Sequence, residues 1–157
     1  MSKLQSGESA PNFTLTDTER NKVSLEQLVE KGTVLLLFYP FAFSSTCTEE
    51  MCTVRDNHKL YQSLDTVVAG ISVDSFFTLK AFKQFENINY TLLSDFNKTV
   101  SRNYGVLYED FYGMKGVSKR AAFIIDKGRT IQYAEVLSDA DQLPDFRSIQ
   151  DLLSKIK

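Results

Sequence analysis

Hydrophobic and polar residues alternate along this chain in three ways, and each predicts a different element. Val34-Leu35-Leu36-Leu37-Phe38-Tyr39 is the most apolar run, and Thr66–Val73 (Thr-Val-Val-Ala-Gly-Ile-Ser-Val) resembles it. Runs that are apolar on both faces predict central strands covered by helices. Phe13-Thr14-Leu15-Thr16 alternates and predicts a short early strand, and Tyr90-Thr91-Leu92-Leu93 reads as short and extended. Helices are marked by apolar residues at three- and four-residue steps. Met51, Val54, His58 and Tyr61 predict one from about Thr46 to Leu64, and Phe76, Leu79, Phe82 and Phe85 another, capped by Asp74 or Ser75. Ser24 with Gln27 three residues on is a capping-box pattern that opens a short helix. Asn97–Tyr104 also reads as helical. Ala121–Ile125, Asp126-Lys127-Gly128-Arg129 and Thr130–Val136 predict a hairpin with a glycine-bearing turn. The last helix carries Phe146, Ile149, Leu152, Leu153 and Ile156 and starts near Pro144, a residue suited to a first turn.

Strands alternating with helices, then a hairpin and a final helix, predict one α/β domain over 1–157, with a mixed sheet flanked by helices. A parallel pair made of Val34–Tyr39 and Thr66–Val73 would hold its ligand site at the carboxyl ends of the strands, where Pro40–Cys47 follows.

Composition narrows the function. A chain of 157 residues is long enough to bury a proper core, and 43% apolar with 24% charged residues is ordinary for a globular protein. A net charge of −2 with no basic stripe argues against nucleic acid as a partner. No window approaches the roughly 18 continuous apolar residues of a membrane span, and the first residues lack a secretory apolar stretch. Two cysteines without an export signal predict a reducing, cytoplasmic setting, where a close cysteine pair is catalytic or redox-active more often than a staple.

Both cysteines lie in Pro40-Phe41-Ala42-Phe43-Ser44-Ser45-Thr46-Cys47-Thr48-Glu49-Glu50-Met51-Cys52. An apolar strand, a proline and then Ser-Ser-Thr place Cys47 at a helix N-terminus. Unpaired N–H groups and the macrodipole favour negative charge there. Pro40, Ser44 and Cys47 have the spacing of the peroxiredoxin signature: proline, three residues, threonine or serine, two residues, cysteine. The resemblance continues through Gly7, Ala10, Pro11, Phe13, Leu15 and Asp17, Gly70–Asp74, Leu92–Asp95 and Tyr104-Gly105-Val106. Arg120, three residues before Phe123, matches the family's second active-site arginine. Cys52 is similar to the resolving cysteine of the peroxiredoxin Q (bacterioferritin comigratory) branch. Phe43, Asp95-Phe96 and Gln132–Val136 are similar to the one-cysteine branch called alkyl hydroperoxide reductase E.

The resemblance implies a thioredoxin-like fold and a thiol peroxidase. It implies hydrogen peroxide and organic hydroperoxides as substrates, and a thioredoxin- or glutaredoxin-type reductant. It implies no metal, flavin or haem, and a monomer or a homodimer packed through the active-site edge. The chemistry fits the residues. A free cysteine, with a pKa near about 8.5, is only a few per cent thiolate at neutral pH. A helix terminus contributes roughly 0.3–1 kcal/mol, less than one pKa unit, so a nearby cation is needed. A guanidinium within about 4–6 Å adds one to three units, which assigns Arg120 to the side of Cys47. Its planar fork suits a peroxide as well. Ser44 brings a hydroxyl for the thiolate or the peroxide, and Pro40 a rigid backbone without an N–H.

Glu50 reads either as a family-type glutamate behind the nucleophile or as a first-turn acid favoured by the dipole. Arg55 with Asp56 reads as a structural ion pair and His58 as structural. Phe41 and Phe43 read as the lining of an organic-peroxide pocket or as an interface. The product on Cys47 would be a sulfenic acid, which Cys52 attacks in the peroxiredoxin Q reading. Five helical residues put the two Cα atoms about 7.5 Å apart along the axis. A disulfide needs them within about 7 Å, so the helix must unwind. Two other functions compete. One is a thiol–disulfide oxidoreductase, against which stands the lack of a Cys-x-x-Cys motif. The other is a redox sensor or holdase that binds protein partners when oxidised.

Overall fold

A computed structural model describes residues 4–156. Its main sheet has seven strands in the order β2-β1-β5-β4-β3-β8-β9. They are β1 Thr14–Asp17, β2 Lys22–Ser24, β3 Thr33–Phe38, β4 Thr66–Ser72, β5 Thr91–Ser94, β8 Ala121–Ile125 and β9 Ile131–Val136. β6 (Leu107–Tyr108) and β7 (Val117–Ser118) pair separately. β3 runs parallel to β4, and β4 to β5, while β8 lies antiparallel to β3, so the sheet is mixed as the pattern predicts. The helices are α1 Leu25–Lys31, α2 Ser45–Asp56, α3 His58–Ser63, α4 Phe76–Phe85, α5 Thr99–Asn103 and α6 Phe146–Ile156.

The two-residue period of β3 divides the core. Val34, Leu36 and Phe38 face a cluster holding Leu25, Leu28 and Val29 of α1 and Val100 of α5. Leu35, Leu37 and Tyr39 face the opposite cluster, with Cys47, Met51 and Val54 of α2, Leu79 and Phe82 of α4, and Ile149 and Leu153 of α6. Each such apolar side chain contributes roughly 1.5–3 kcal/mol when fully buried. The centre of the sheet is therefore a fully buried base for a site. Gly70 in β4 makes room for its neighbours in the core: a Cβ there would lie 2.9 Å from Leu92 Cδ2 of β5 and 3.3 Å from the Tyr39 ring.

Ser24 and Gln27 form the predicted capping box, and Ser75 rather than Asp74 caps α4, accepting from Thr78 N–H. Three expectations change. The helix expected over 46–64 is broken at Asn57, whose N–H closes a tighter turn on Val54 and whose side-chain amide takes the Thr53 carbonyl at 2.9 Å. The last helix begins at Phe146. Its first turn is closed by Asp145, which accepts from Ser148 N–H at 3.1 Å, so Pro144 stands outside the helix. Phe85 continues the apolar period of α4, yet it is 74% exposed because the helix ends there, beyond the edge of the core.

Candidate active site

β3 delivers the chain to the carboxyl edge of the sheet, and Pro40, buried, turns it into a loop. The loop is shaped by two features. Phe43 adopts φ +71°, a left-handed conformation uncommon for an aromatic residue. Ala42 N–H donates to Asp74 Oδ2 at 2.7 Å across from the end of β4. Asp74 is itself held, accepting from Ser72 Oγ at 2.7 Å, with its carbonyl taking Ser94 Oγ at 2.6 Å. Burial pushes the Asp74 carboxyl up, and the Ala42 N–H and Ser72 hydroxyl partly offset it.

α2 then starts at Ser45, with Ser44 as its N-cap and the first helical bond running from Thr48 N–H to the Ser44 carbonyl at 2.9 Å. The N–H groups of the first turn, including that of Cys47, have no partner further back in the helix. Cys47 is fully buried, and its sulfur accepts a hydrogen bond from Arg120 Nη2 at 3.2 Å.

Arg120 precedes β8, the antiparallel neighbour of β3, which carries it back to this edge over 73 residues of sequence. Its side chain is 1% exposed and every arm is engaged. Nη1 donates to Glu50 Oε1 at 2.5 Å, and Nε and Nη2 both donate to the Ala140 carbonyl, at 3.1 and 2.8 Å. Burial works against the guanidinium charge, but Glu50 and Cys47 outweigh it, so Arg120 is held above its usual value. Burial pushes the Glu50 carboxyl up to about 7 against the pull of Arg120. Its second oxygen, Oε2, is buried without a hydrogen-bond partner.

Cys47 and Arg120 thus meet as the sequence reading requires. Glu50 lies in the second turn of α2 and not the first, so its place as a dipole-favoured acid gives way to a buried partner of Arg120. Ser44 is exposed, and its hydroxyl donates to the Phe41 carbonyl at 3.0 Å. Phe43 packs on Phe82 at 5.2 Å between ring centroids, and Phe41 on Phe111 of the β6–β7 connection at 6.4 Å. Arg55 pairs with Asp56 at 3.0 Å. Cys52 is a half-buried free thiol on a different face of α2, where Sγ donates to Glu86 Oε2 at 3.3 Å. Sequence reasoning missed the loop anchor Asp74 and the carbonyl of Ala140. Asp74 was open to detection, since an acid closing a central strand stands at the ligand edge. A backbone carbonyl leaves no mark in residue type.

The AhpC/TSA family model matches residues 6–134. The 2-Cys peroxiredoxin BAS1 of spinach (Spinacia oleracea) is 36% identical over 140 residues, covering 83% of this chain and 51% of that protein. Peroxiredoxin Q of Oryza sativa subsp. japonica is 35% identical over 131 residues, covering 83% of this chain and 58% of the relative. This chain spans about half the length of the BAS1 proteins it matches. The crystal structure of peroxidoxin BcpB from Mycobacterium tuberculosis superposes with a TM-score of 0.89 at 28% identity, covering 98% of this chain and 99% of that one. A family match over most of the sequence, carried by the same thioredoxin-like fold, leads to one conclusion: the chain belongs to the AhpC/TSA family, the family of the peroxiredoxins.

Proposed function

We propose that the protein is a thiol peroxidase that reduces hydrogen peroxide and organic hydroperoxides at Cys47. Cys52 resolves the product, and a thioredoxin- or glutaredoxin-type protein returns the electrons. The observation that carries this reading is the buried contact between Cys47 Sγ and Arg120 Nη2 at the first turn of α2. A guanidinium hydrogen bond is markedly stronger to a thiolate than to a thiol, so it favours the nucleophilic form. The thiolate attacks one peroxide oxygen, the O–O bond breaks, and the other oxygen leaves as hydroxide or alkoxide and takes up a proton. Arg120 and the N–H groups of the first turn of α2 stabilise this developing charge. The donor of Ser44 is occupied by Phe41, so its lone pairs are what it offers to a peroxide hydrogen.

Cys47 is left as a sulfenic acid. Its condensation with the Cys52 thiol forms the S–S bond and releases water. Cys47 lies in the core while Cys52 is turned to Glu86, so the first turns of α2 must open for this step. Steady-state peroxide consumption by wild type, Cys47→Ser and Cys52→Ser, each with thioredoxin and with a small thiol, tests the scheme. Cys47→Ser is expected to be inactive with both reductants, and Cys52→Ser to lose activity with thioredoxin alone. Loss only in Cys47→Ser would make Cys52 dispensable. Amide exchange over 49–56 should accelerate on oxidation, and unchanged protection would remove the unwinding step. Phe43, 50% exposed in the loop between β3 and α2, is assigned to substrate lining or to a homodimer contact. Phe43→Arg should alter peroxide preference or assembly.

A further inference from the structure

The loop after α4 grips the face of α2 that carries Cys52, and Glu86 is the centre of that grip. Glu86 closes α4, its N–H bonded to the Phe82 carbonyl at 3.0 Å. Its carboxylate accepts the Cys52 thiol hydrogen at 3.3 Å, and its carbonyl accepts from Arg55 Nη1 at 2.5 Å. Cys52 and Arg55 are three residues apart and share one face of the helix. The next residues reinforce the hold. Asn89 Nδ2 donates to the Arg55 carbonyl at 3.3 Å, and the Tyr90 hydroxyl donates to the Met51 carbonyl at 2.8 Å. Restrained residues 51 and 52 lie in the turns that must open before Cys52 reaches Cys47, and the bonds at residue 55 hold the last turn, just beyond them.

We propose that Glu86 is a positioning residue that restrains resolution, holding the Cys52 thiol and the folded α2 together so that the sulfenic acid on Cys47 persists before a disulfide forms. This rests on the reading of Cys52 as the resolving thiol. The thiol must surrender its hydrogen to become a nucleophile, and a carboxylate that accepts this hydrogen opposes the loss in two ways. It bonds the protonated form, and it repels the thiolate. Burial and the Glu86 bond both push the Cys52 thiol up, with Arg55 pulling the other way and the Glu86 and Asp56 charges adding to the rise. Delay has a chemical consequence. A sulfenic acid that waits is open to a second peroxide, which oxidises it to sulfinic acid and is itself reduced to water or an alcohol. Glu86 therefore sets how Cys47 divides between disulfide and overoxidation.

That division is measured on reduced, desalted protein given rising hydrogen peroxide, with disulfide and sulfinic acid counted by intact mass across a pH series. In Glu86→Gln the peroxide needed to drive half of Cys47 to sulfinic acid should rise about 3- to 10-fold. The pH at which disulfide overtakes sulfinic acid should fall, a shift that simple loosening of the loop would not give. If the variant does not fold, Glu86→Asp, which keeps the charge but withdraws it by one methylene, should move both readouts the same way by less. Coincidence of variant and wild type in both readouts overturns the inference, as does a variant more easily overoxidised. Wild type that forms no Cys47–Cys52 disulfide overturns the resolving role beneath it, and the inference with it.

Discussion

The two cysteines stand five residues apart on one helix, yet their surroundings have opposite sign. Cys47 is sealed in the core with a guanidinium against its sulfur, and the guanidinium is fixed by Glu50 and the Ala140 carbonyl. Cys52 is half-buried, and its thiol donates to the carboxylate of Glu86, with Arg55 three residues on along the same helix face. A cation favours the anionic sulfur and a carboxylate the protonated one. One helix thus presents one sulfur beside a guanidinium and one beside a carboxylate. Rotation about the helix axis, and not distance along the chain, separates the two roles.

The contrast is broken most severely at the sulfur itself. Cys47→Ser should lower peroxide turnover by roughly three orders of magnitude or more, since a hydroxyl is a far weaker nucleophile than a thiolate at neutral pH. Steady-state peroxide consumption measures it, and residual turnover within tenfold of wild type would move the chemistry elsewhere. Arg120→Met removes the cation and should cost about 10²–10³-fold in the single-turnover rate with peroxide. It also strands Glu50 in the core, a loss on the order of 3–5 kcal/mol where that carboxyl is ionised. Urea unfolding should therefore show the greater destabilisation at pH 8 and the lesser at pH 6.

The charge balance around Cys47 is sharpened by Glu50→Gln. Glu50 is raised from 4.5 in the unfolded chain to about 7 in the fold. Between those values the folded state holds the proton more tightly than the unfolded one. Its contribution to stability is thus full below about 4.5 and is lost as pH rises through about 7, a total of about 3 kcal/mol. Glu50→Gln should flatten that slope, as read from unfolding free energies at pH 5 and 8. An unchanged slope would mean that Glu50 titrates alike in both states. The smallest effect is expected at the loop anchor. Asp74→Asn weakens the acceptor for Ala42 N–H, and should cost about 1 kcal/mol of stability and a few-fold in kcat/KM for peroxide. Unchanged kinetics would show that the loop keeps its shape without that charge.

Much of this architecture was legible from the chain. The double-faced apolar run of β3 marked the centre of the sheet, because a strand covered on both sides has no solvent face to alternate. The capping box at Ser24 was local, and local geometry made it visible. The break at Asn57 was not, since the apolar period passes through it and a side-chain bond to Thr53 decides the matter. The partnership of Cys47 with Arg120 was legible through family spacing and through the magnitude of a dipole term too small to act alone. The environment of Cys52 was hidden, because Glu86 comes from a loop 34 residues away with no motif of its own.

Residue pattern alone was enough for the alternation of strands and helices, the thiol at the start of α2 and the need for a cation beside it. These follow from periodicity, helix-end electrostatics and the ordinary acidity of a thiol, all of which act over a few residues. Which charged group each cysteine meets depends on how distant segments pack. β8 returns antiparallel to β3 and carries Arg120 to Cys47, while the end of α4 sets Glu86 against Cys52. Electrostatic control of a buried or half-buried sulfur is a matter of a few ångströms, and the packing of distant segments sets those distances.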